Sequence, residues 1–330
     1  MLQLVNGMVV SRCLTVAAEL SIADKLADGP KDAAALAAAS GAEPSSLYRV
    51  LRTLAGVGVF VELPDRQFQN SPLSEVLRSD APGSVRHIVR WLGHPLHWRV
   101  VGDLDYSVKT GKPSAVKDHP GQTPFAVLSQ DASAQAVFNE AMTALSLADG
   151  AAIVQAYDFS PFRRIVDVGG GHGSLAMMIA RAAPSAAVTV YDLPHVIEGA
   201  RRKLAGAGLE GRVDALGGSF FETVPGPADL LVLKYVLHLC DDAAATRILV
   251  NCRNALREGG RILVGEMMIV PGPEGIPARV MDIEMLTGTG GRERTGAEFS
   301  RLFETANLKL QRIVQTRSTV RLLEVTVGGS

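Results

Sequence analysis

The chain has 330 residues, too many for one typical compact unit and comfortable for two. Its 47% hydrophobic and 20% charged content excludes disorder, and a net charge of −1 leaves no surface-wide field for gathering nucleic acid or anionic membrane. Cys13, Cys240 and Cys252 are spaced neither as a disulfide framework nor as a zinc site, which fits a reducing cytoplasm.

Residues 1–20 read as a packed helix. Leu2, Val5, Met8, Val9 and Val16 are interrupted by Arg12 and Glu19, with no small-residue cleavage site behind them, so neither a signal nor a membrane span is expected. From Pro30 to Leu77 the expected order is a helix over 31–39, a break at Gly41, and a second helix opened by Glu43-Pro44-Ser45 and running to Ala55. Strands over 59–63 and 67–70 follow, joined by a Pro64-Asp65-Arg66 turn. This is the outline of a winged helix, a unit that often reads DNA. Residues 1–100, however, hold ten Lys or Arg against nine Asp or Glu, far from the cationic face that a duplex requires. A structural or dimerising role is the stronger reading.

Residues 84–150 look helical and carry Trp91, His94, His97, Trp98, Phe125, Phe138 and Met142. Core packing accounts for most of these; Phe138 and Met142, four apart, share a helix face suited to lining a pocket. From Arg164 the texture changes. Strand-like runs over 164–168, 187–191, 230–233 and 261–264 alternate with helical stretches, the pattern of a parallel sheet wound by helices on both faces. The expected division is 1–100, a helical linker over 101–155, and an α/β, Rossmann-like domain over 156–330.

Ile165-Val166-Asp167-Val168 enters Gly169-Gly170-Gly171-His172-Gly173, a buried strand turning on glycines into a helix near Ser174. Gly169, Gly171 and Gly173 allow close backbone approach, and the helix amino terminus points free N–H groups at whatever binds. The G-x-G-x-G spacing departs from the dinucleotide fingerprint, which disfavours a nicotinamide cofactor. Val188-Thr189-Val190-Tyr191-Asp192 ends a second strand on a carboxylate nineteen positions past Gly173, placed to accept the hydroxyls of a ribose.

These two motifs, with Leu193-Pro194-His195-Val196-Ile197 after Asp192, resemble the plant-type, caffeate-like O-methyltransferase family and its bacterial relatives in secondary metabolism. The resemblance spans nearly the whole chain. It implies a methyltransferase domain preceded by a winged-helix dimerisation domain, a homodimer, a small-molecule acceptor, and S-adenosylmethionine as cofactor with S-adenosylhomocysteine as product. No metal, nucleic acid or membrane partner is expected. By the same resemblance Asp167 and the glycines hold the amino acid end of the cofactor, Asp192 the ribose, and Leu193, Ser219 and Phe220 the adenine side, with Lys234 beside it. Ser219 stands where the family usually has an aspartate, replacing a charge-assisted bond by a weaker one. Lys234 read without the family is equally a solvated lysine at a strand end.

A hydroxyl acceptor needs a base, and a neutral imidazole suits a phenol. His238, just past the strand over 230–233, falls at the carboxyl edge of the sheet, where ligands of open parallel sheets bind; a capping histidine is the alternative. The resemblance makes His238 the base, Glu266 and Glu293 the carboxylates that orient it, and Phe138, Met142, Asp282 and Met285 the acceptor pocket. Glu293 alone reads equally as a surface partner of Arg292 or Arg294. The family's His-Asp-Trp is His238-Leu239-Cys240 here, removing a charge beside the base, and Asp241 and Asp242 need not replace it. Three functions stay open: an O-methyltransferase, an enzyme of the same fold that keeps the cofactor but catalyses a non-methylating reaction, and a ligand-sensing winged-helix regulator. The acceptor, and whether its atom is oxygen or nitrogen, is not legible.

Overall fold

The computed structural model describes residues 1–328, which divide into two compact units. One comprises Met1–Gly102 with Phe125–Leu145; the other comprises Asp103–Pro124 with Ser146 onward. The helix of residues Ala132–Ala156 contributes to each in turn.

The first unit opens with α1 (Leu2–Glu19), whose carboxyl half buries Thr15, Ala17 and Ala18 while Leu2, Leu4, Val5, Met8 and Val9 stand exposed. The packed helix expected over 1–20 is thus packed at one end only. Strand β1 (Lys31–Asp32) occupies the start of the expected first helix, because its backbone pairs with β3 while the Asp32 side chain accepts the Ala35 N–H and caps α2 (Ala33–Ser40). Helix α3 (Pro44–Gly56) begins at the Glu43 cap, which accepts the N–H groups of Ser45 and Ser46. Strands β2 (Phe60–Leu63) and β3 (Gln67–Asn70) form the wing, and Ile22, Leu36, Leu51, Leu54, Phe60 and Phe68 make the core beneath it. The long helix α4 (Ala132–Ala156) is the single described helix apolar and long enough to cross a bilayer by composition. Its Phe138 is used within the first unit, edge-on to Trp91 at 5.0 Å and to Phe125 at 6.4 Å.

The second unit is built on seven strands in the order β11-β12-β8-β7-β4-β5-β6. They are β4 (Arg164–Val168), β5 (Ala187–Asp192), β6 (Val213–Gly217), β7 (Ala228–Lys234), β8 (Leu256–Glu266), β11 (Leu308–Gln315) and β12 (Arg321–Val327). The run from β6 to β8 is parallel, and β12 and β11 continue it antiparallel. Helices α5 (Ser174–Ala182), α6 (Pro194–Gly206) and α7 (Asp242–Ala255) connect the parallel strands. Successive residues of a strand point to opposite faces, so Leu230 and Val232 join one core with Leu175 and Ile179 while Leu231 and Leu233 join another with Ile248 and Phe299. Beyond β8 come β9 (Met268–Ile269), α8 (Ile276–Gly288), β10 (Arg294–Thr295), which pairs with β9, and α9 (Gly296–Thr305).

Candidate active site

Parallel strands β5, β4, β7 and β8 bring their carboxyl ends to one edge of the sheet, and the candidate residues of the second unit gather there. At the end of β4, Gly171 has φ +57° and a side-chain carbon added to it would meet nothing within 4 Å, so the turn faces an open cradle. Its N–H donates to Asp192 Oδ2 at 2.8 Å, and the Leu193 N–H donates to Oδ1 at 2.7 Å. The Asp192 carboxylate is therefore fixed by main chain before any ligand arrives. Asp167 is 2% exposed, with Oδ2 lacking any partner, and burial pushes its pKa up to about 7 against the pull of Lys234.

These features suit the cofactor inferred from the sequence. An orphaned carboxylate oxygen beside an open glycine turn fits an ammonium group, a rigid carboxylate at a strand end fits a ribose diol, and exposed Leu193 offers an apolar face to a base. Ser219 is half-buried and accepts the Phe221 N–H, and Phe220 packs beside Gly169. Lys234 is not a solvated strand end: it is half-buried, donates to Ser146 Oγ at 3.2 Å, and loss of solvent lowers its pKa.

His238 sits in a single helical turn, Leu237–Leu239, and is 6% exposed. Its Nδ1 lies 2.8 Å from Glu293 Oε1 and 3.7 Å from Glu266 Oε2. The two carboxylates do different work. Glu266 Oε1 accepts the main-chain N–H groups of Val236, Leu237 and His238 at 3.1, 2.8 and 3.3 Å, so Glu266 shapes the turn, whereas Glu293 holds the ring. Burial raises the Glu266 pKa to about 7, against the pull of His238 and of its amide donors. Burial also lowers the His238 pKa, keeping the imidazole neutral at neutral pH, and raises Glu293 to about 8 with Asp282 adding to the rise. The ligand atoms of this trio lie within 4.8 Å of one another, a spacing open to a divalent ion, but the direct 2.8 Å bond already joins His238 to Glu293.

The loss of an aspartate after the histidine does not leave the turn loose. Arg294, 1% exposed, donates to the carbonyls of Leu237 and Cys240, each at 3.0 Å, and to Asp242 Oδ1. Asp241 instead caps α7 through the Ala244 N–H. The His238 carbonyl accepts the Arg292 N–H at 2.9 Å, and only glycine fits at 291, where a side-chain carbon would overlap that same carbonyl. Glu293 is thus no surface partner of its neighbours, since Arg292 pairs with Glu298 and Arg294 with Asp242.

Asp282 is tied to the trio through the chain, its Oδ1 accepting the Glu293 N–H at 2.8 Å. Met285, three residues on in α8, is half-buried, and its carbonyl receives the N–H groups of Thr289 and Gly290. Phe138 and Met142 belong to the first unit. Sequence reasoning missed Arg294 and Tyr235, whose ring stacks on His238. A buried arginine opening a two-residue strand after a glycine-rich loop leaves no periodic trace, and Tyr235 lies between a strand and a turn.

Residues 101–309 match the model of the O-methyltransferase domain, and residues 2–80 match that of the O-methyltransferase dimerisation domain. The chain belongs to the O-methyltransferase family. Among relatives of this O-methyltransferase, the phenazine O-methyltransferase of Lysobacter antibioticus is 38% identical, over 98% of this chain and 94% of its own. The mitomycin biosynthesis 6-O-methyltransferase of Streptomyces lavendulae is also 38% identical, over 98% and 92%. A solved methyltransferase of calicheamicin biosynthesis with S-adenosylhomocysteine bound superposes with a TM-score of 0.88 at 32% identity, covering 99% of this chain and 96% of that one. The family, the two-part fold class and the S-adenosylmethionine cofactor read from the sequence all stand, and this O-methyltransferase is an enzyme of methyl transfer.

Proposed function

We propose that the acceptor is a hydroxyl group on a small aromatic or polyketide-like metabolite and that His238 is the general base. The observation that carries this reading is the buried imidazole with Nδ1 2.8 Å from Glu293 Oε1, at the sheet edge shared with the glycine turn and Asp192. Two relatives named for phenazine and mitomycin chemistry support a fused-ring acceptor. When bound, S-adenosylmethionine supplies an electrophilic methyl on its sulfonium and becomes S-adenosylhomocysteine.

Asp167 and the turn 169–173 hold the amino acid end of that cofactor, Asp192 the ribose, Leu193, Ser219 and Phe220 the adenine side, and Lys234 stands beside it. When the Glu293 carboxylate is ionised and accepts from Nδ1–H, Nε2 is the bare nitrogen and takes the acceptor's hydroxyl proton as its oxygen forms the new bond. The resulting imidazolium sits against Glu293 and near Glu266, which offset its charge. Asp282 and Met285 line the acceptor side within the second unit. The dimerisation-domain match and the exposed apolar end of α1 support a homodimer formed through residues 1–100.

The test supplies methyl-labelled S-adenosylmethionine with hydroxylated phenazines, naphthoates and quinones and follows the label by mass spectrometry. His238→Ala is expected to cut labelled product by about 100-fold or more while the cofactor Kd from calorimetry stays within about three-fold. Equal loss of cofactor binding would remove the base assignment, and label in no hydroxylated probe would remove the acceptor class.

A further inference from the structure

Tyr235 follows the last residue of β7 with φ +57°, a left-handed backbone that a bulky aromatic residue adopts only where its surroundings hold it there. Two bonds do so. Its N–H donates to the Gly265 carbonyl of β8 at 3.0 Å, and its phenol donates to the buried Asp149 Oδ2 at 3.0 Å. The ring so fixed lies nearly parallel to the imidazole of His238, with centroids 5.2 Å apart and planes 18° apart. The Lys234 ammonium stands 4.7 Å from the centroid of the tyrosine ring.

An imidazole bonded at one nitrogen keeps its freedom to rock about the bond to its own chain, and the Glu293 contact at Nδ1 does not remove it. A flat ring against its face does. We propose that Tyr235 is a positioning residue that fixes the plane of the His238 imidazole so that Nε2 meets the acceptor hydroxyl, the backbone being held left-handed to deliver the ring there. This rests on His238 as base. Tyr235 itself moves no proton, because burial, and then Asp149, push its pKa far above the ordinary phenol range.

The charged groups facing His238 are Lys234 from β7, Glu266 from β8, and Glu293 and Arg294 from the segment ending in β10. Changes at Tyr235 substitute none of the four, and Lys234 is the one among them that touches the tyrosine ring. Two variants separate the parts. Tyr235→Phe keeps the ring and loses the phenol anchor, while Tyr235→Asn removes the ring but suits the left-handed backbone, since asparagine is enriched there, and guards against simple misfolding.

The primary measurement is NMR of the full protein with nitrogen-labelled histidine, titrated with pH, with His238→Ala assigning the signals; it needs no acceptor. In Tyr235→Asn the His238 signals are expected to broaden and its pKa to rise toward about 6.5 as water reaches the ring, with Tyr235→Phe in between. The second readout is methylation of 1-hydroxyphenazine as probe, with kcat in Tyr235→Asn falling about 10-fold to 100-fold and cofactor Kd unchanged. Wild-type signals and titration in Tyr235→Asn would overturn the proposal, as would a lost cofactor Kd with undisturbed signals. Full activity in His238→Ala would sink the base assignment alone, leaving the stack to be judged by the NMR result.

Discussion

The family resemblance treats Glu266 and Glu293 alike, as two carboxylates orienting an imidazole, and the distances separate them. Glu293→Gln removes the charge that keeps the hydrogen on Nδ1, so kcat is expected to fall about 100-fold with little change in stability. Glu266→Gln weakens the acceptor of three amides in a fully buried place, and denaturant unfolding is expected to show a loss of about 1–3 kcal/mol besides reduced activity. Equal stability losses in the two variants would contradict this division. The pH dependence has a definite sign. At low pH the Glu293 carboxyl holds a proton and donates it to Nδ1, which leaves the ring hydrogen on Nε2, the wrong nitrogen for a base. Above the titration of the couple, with Glu293 raised to about 8, the carboxylate accepts from Nδ1–H and Nε2 is bare. The rate should therefore rise with pH through neutrality and level off in mild alkali, and a profile that falls over this span would refute the arrangement. His238 stands out in the sequence by its place just past a strand, whereas Glu266 and Glu293 come with the family resemblance, Glu293 by itself reading equally as a surface partner of its neighbouring arginines. Arg294 is not legible, because nothing local distinguishes a buried arginine from the surface residue beside it.

At the scale of elements, the parallel strands announced themselves as apolar runs because both their faces are buried, as β7 shows along its whole length. The strands that stayed hidden have physical reasons to. Edge strands β6 and β11 leave many positions exposed and so lack a continuous run. Within β12 the run breaks at Glu324, a buried carboxylate that accepts from Tyr157, Arg261 and Arg312. Strand β1 looked like a helix start because its Asp32 is the cap of one. The segment before β10 also matters more than its length suggests, since Gly291 lies directly against the His238 carbonyl. Gly291→Ala is expected to push that turn aside and lower kcat about 10-fold or more, with a cofactor Kd near the wild-type value. Calorimetry beside steady-state rates would check this, and an unchanged kcat would show that the turn yields freely.

For the whole molecule, the first hundred residues are near neutral in charge, which suits self-association better than DNA, and the dimerisation-domain match covers residues 2–80. The exposed Leu2, Leu4, Val5, Met8 and Val9 of α1 form the apolar surface such a dimer would cover. Leu4→Glu combined with Met8→Glu is therefore expected to shift sedimentation from dimer to monomer, and a dimer persisting at micromolar concentration would move the interface elsewhere. The second unit has a different kind of interdependence. The turn bearing His238 has two local bonds, from the Leu239 and Cys240 N–H groups to the Val236 and Leu237 carbonyls, each at 3.3 Å, while its amides also go to Glu266 and its carbonyls to Arg292 and Arg294, so much of its shape is set from other parts of the chain. An engineer who spliced Leu237-His238-Leu239 into another scaffold would import an imidazole without an address. The smallest portable unit of this chemistry is three separate pieces of chain, the turn after β7, the end of β8 and the loop into β10, and a graft must carry all of them in register.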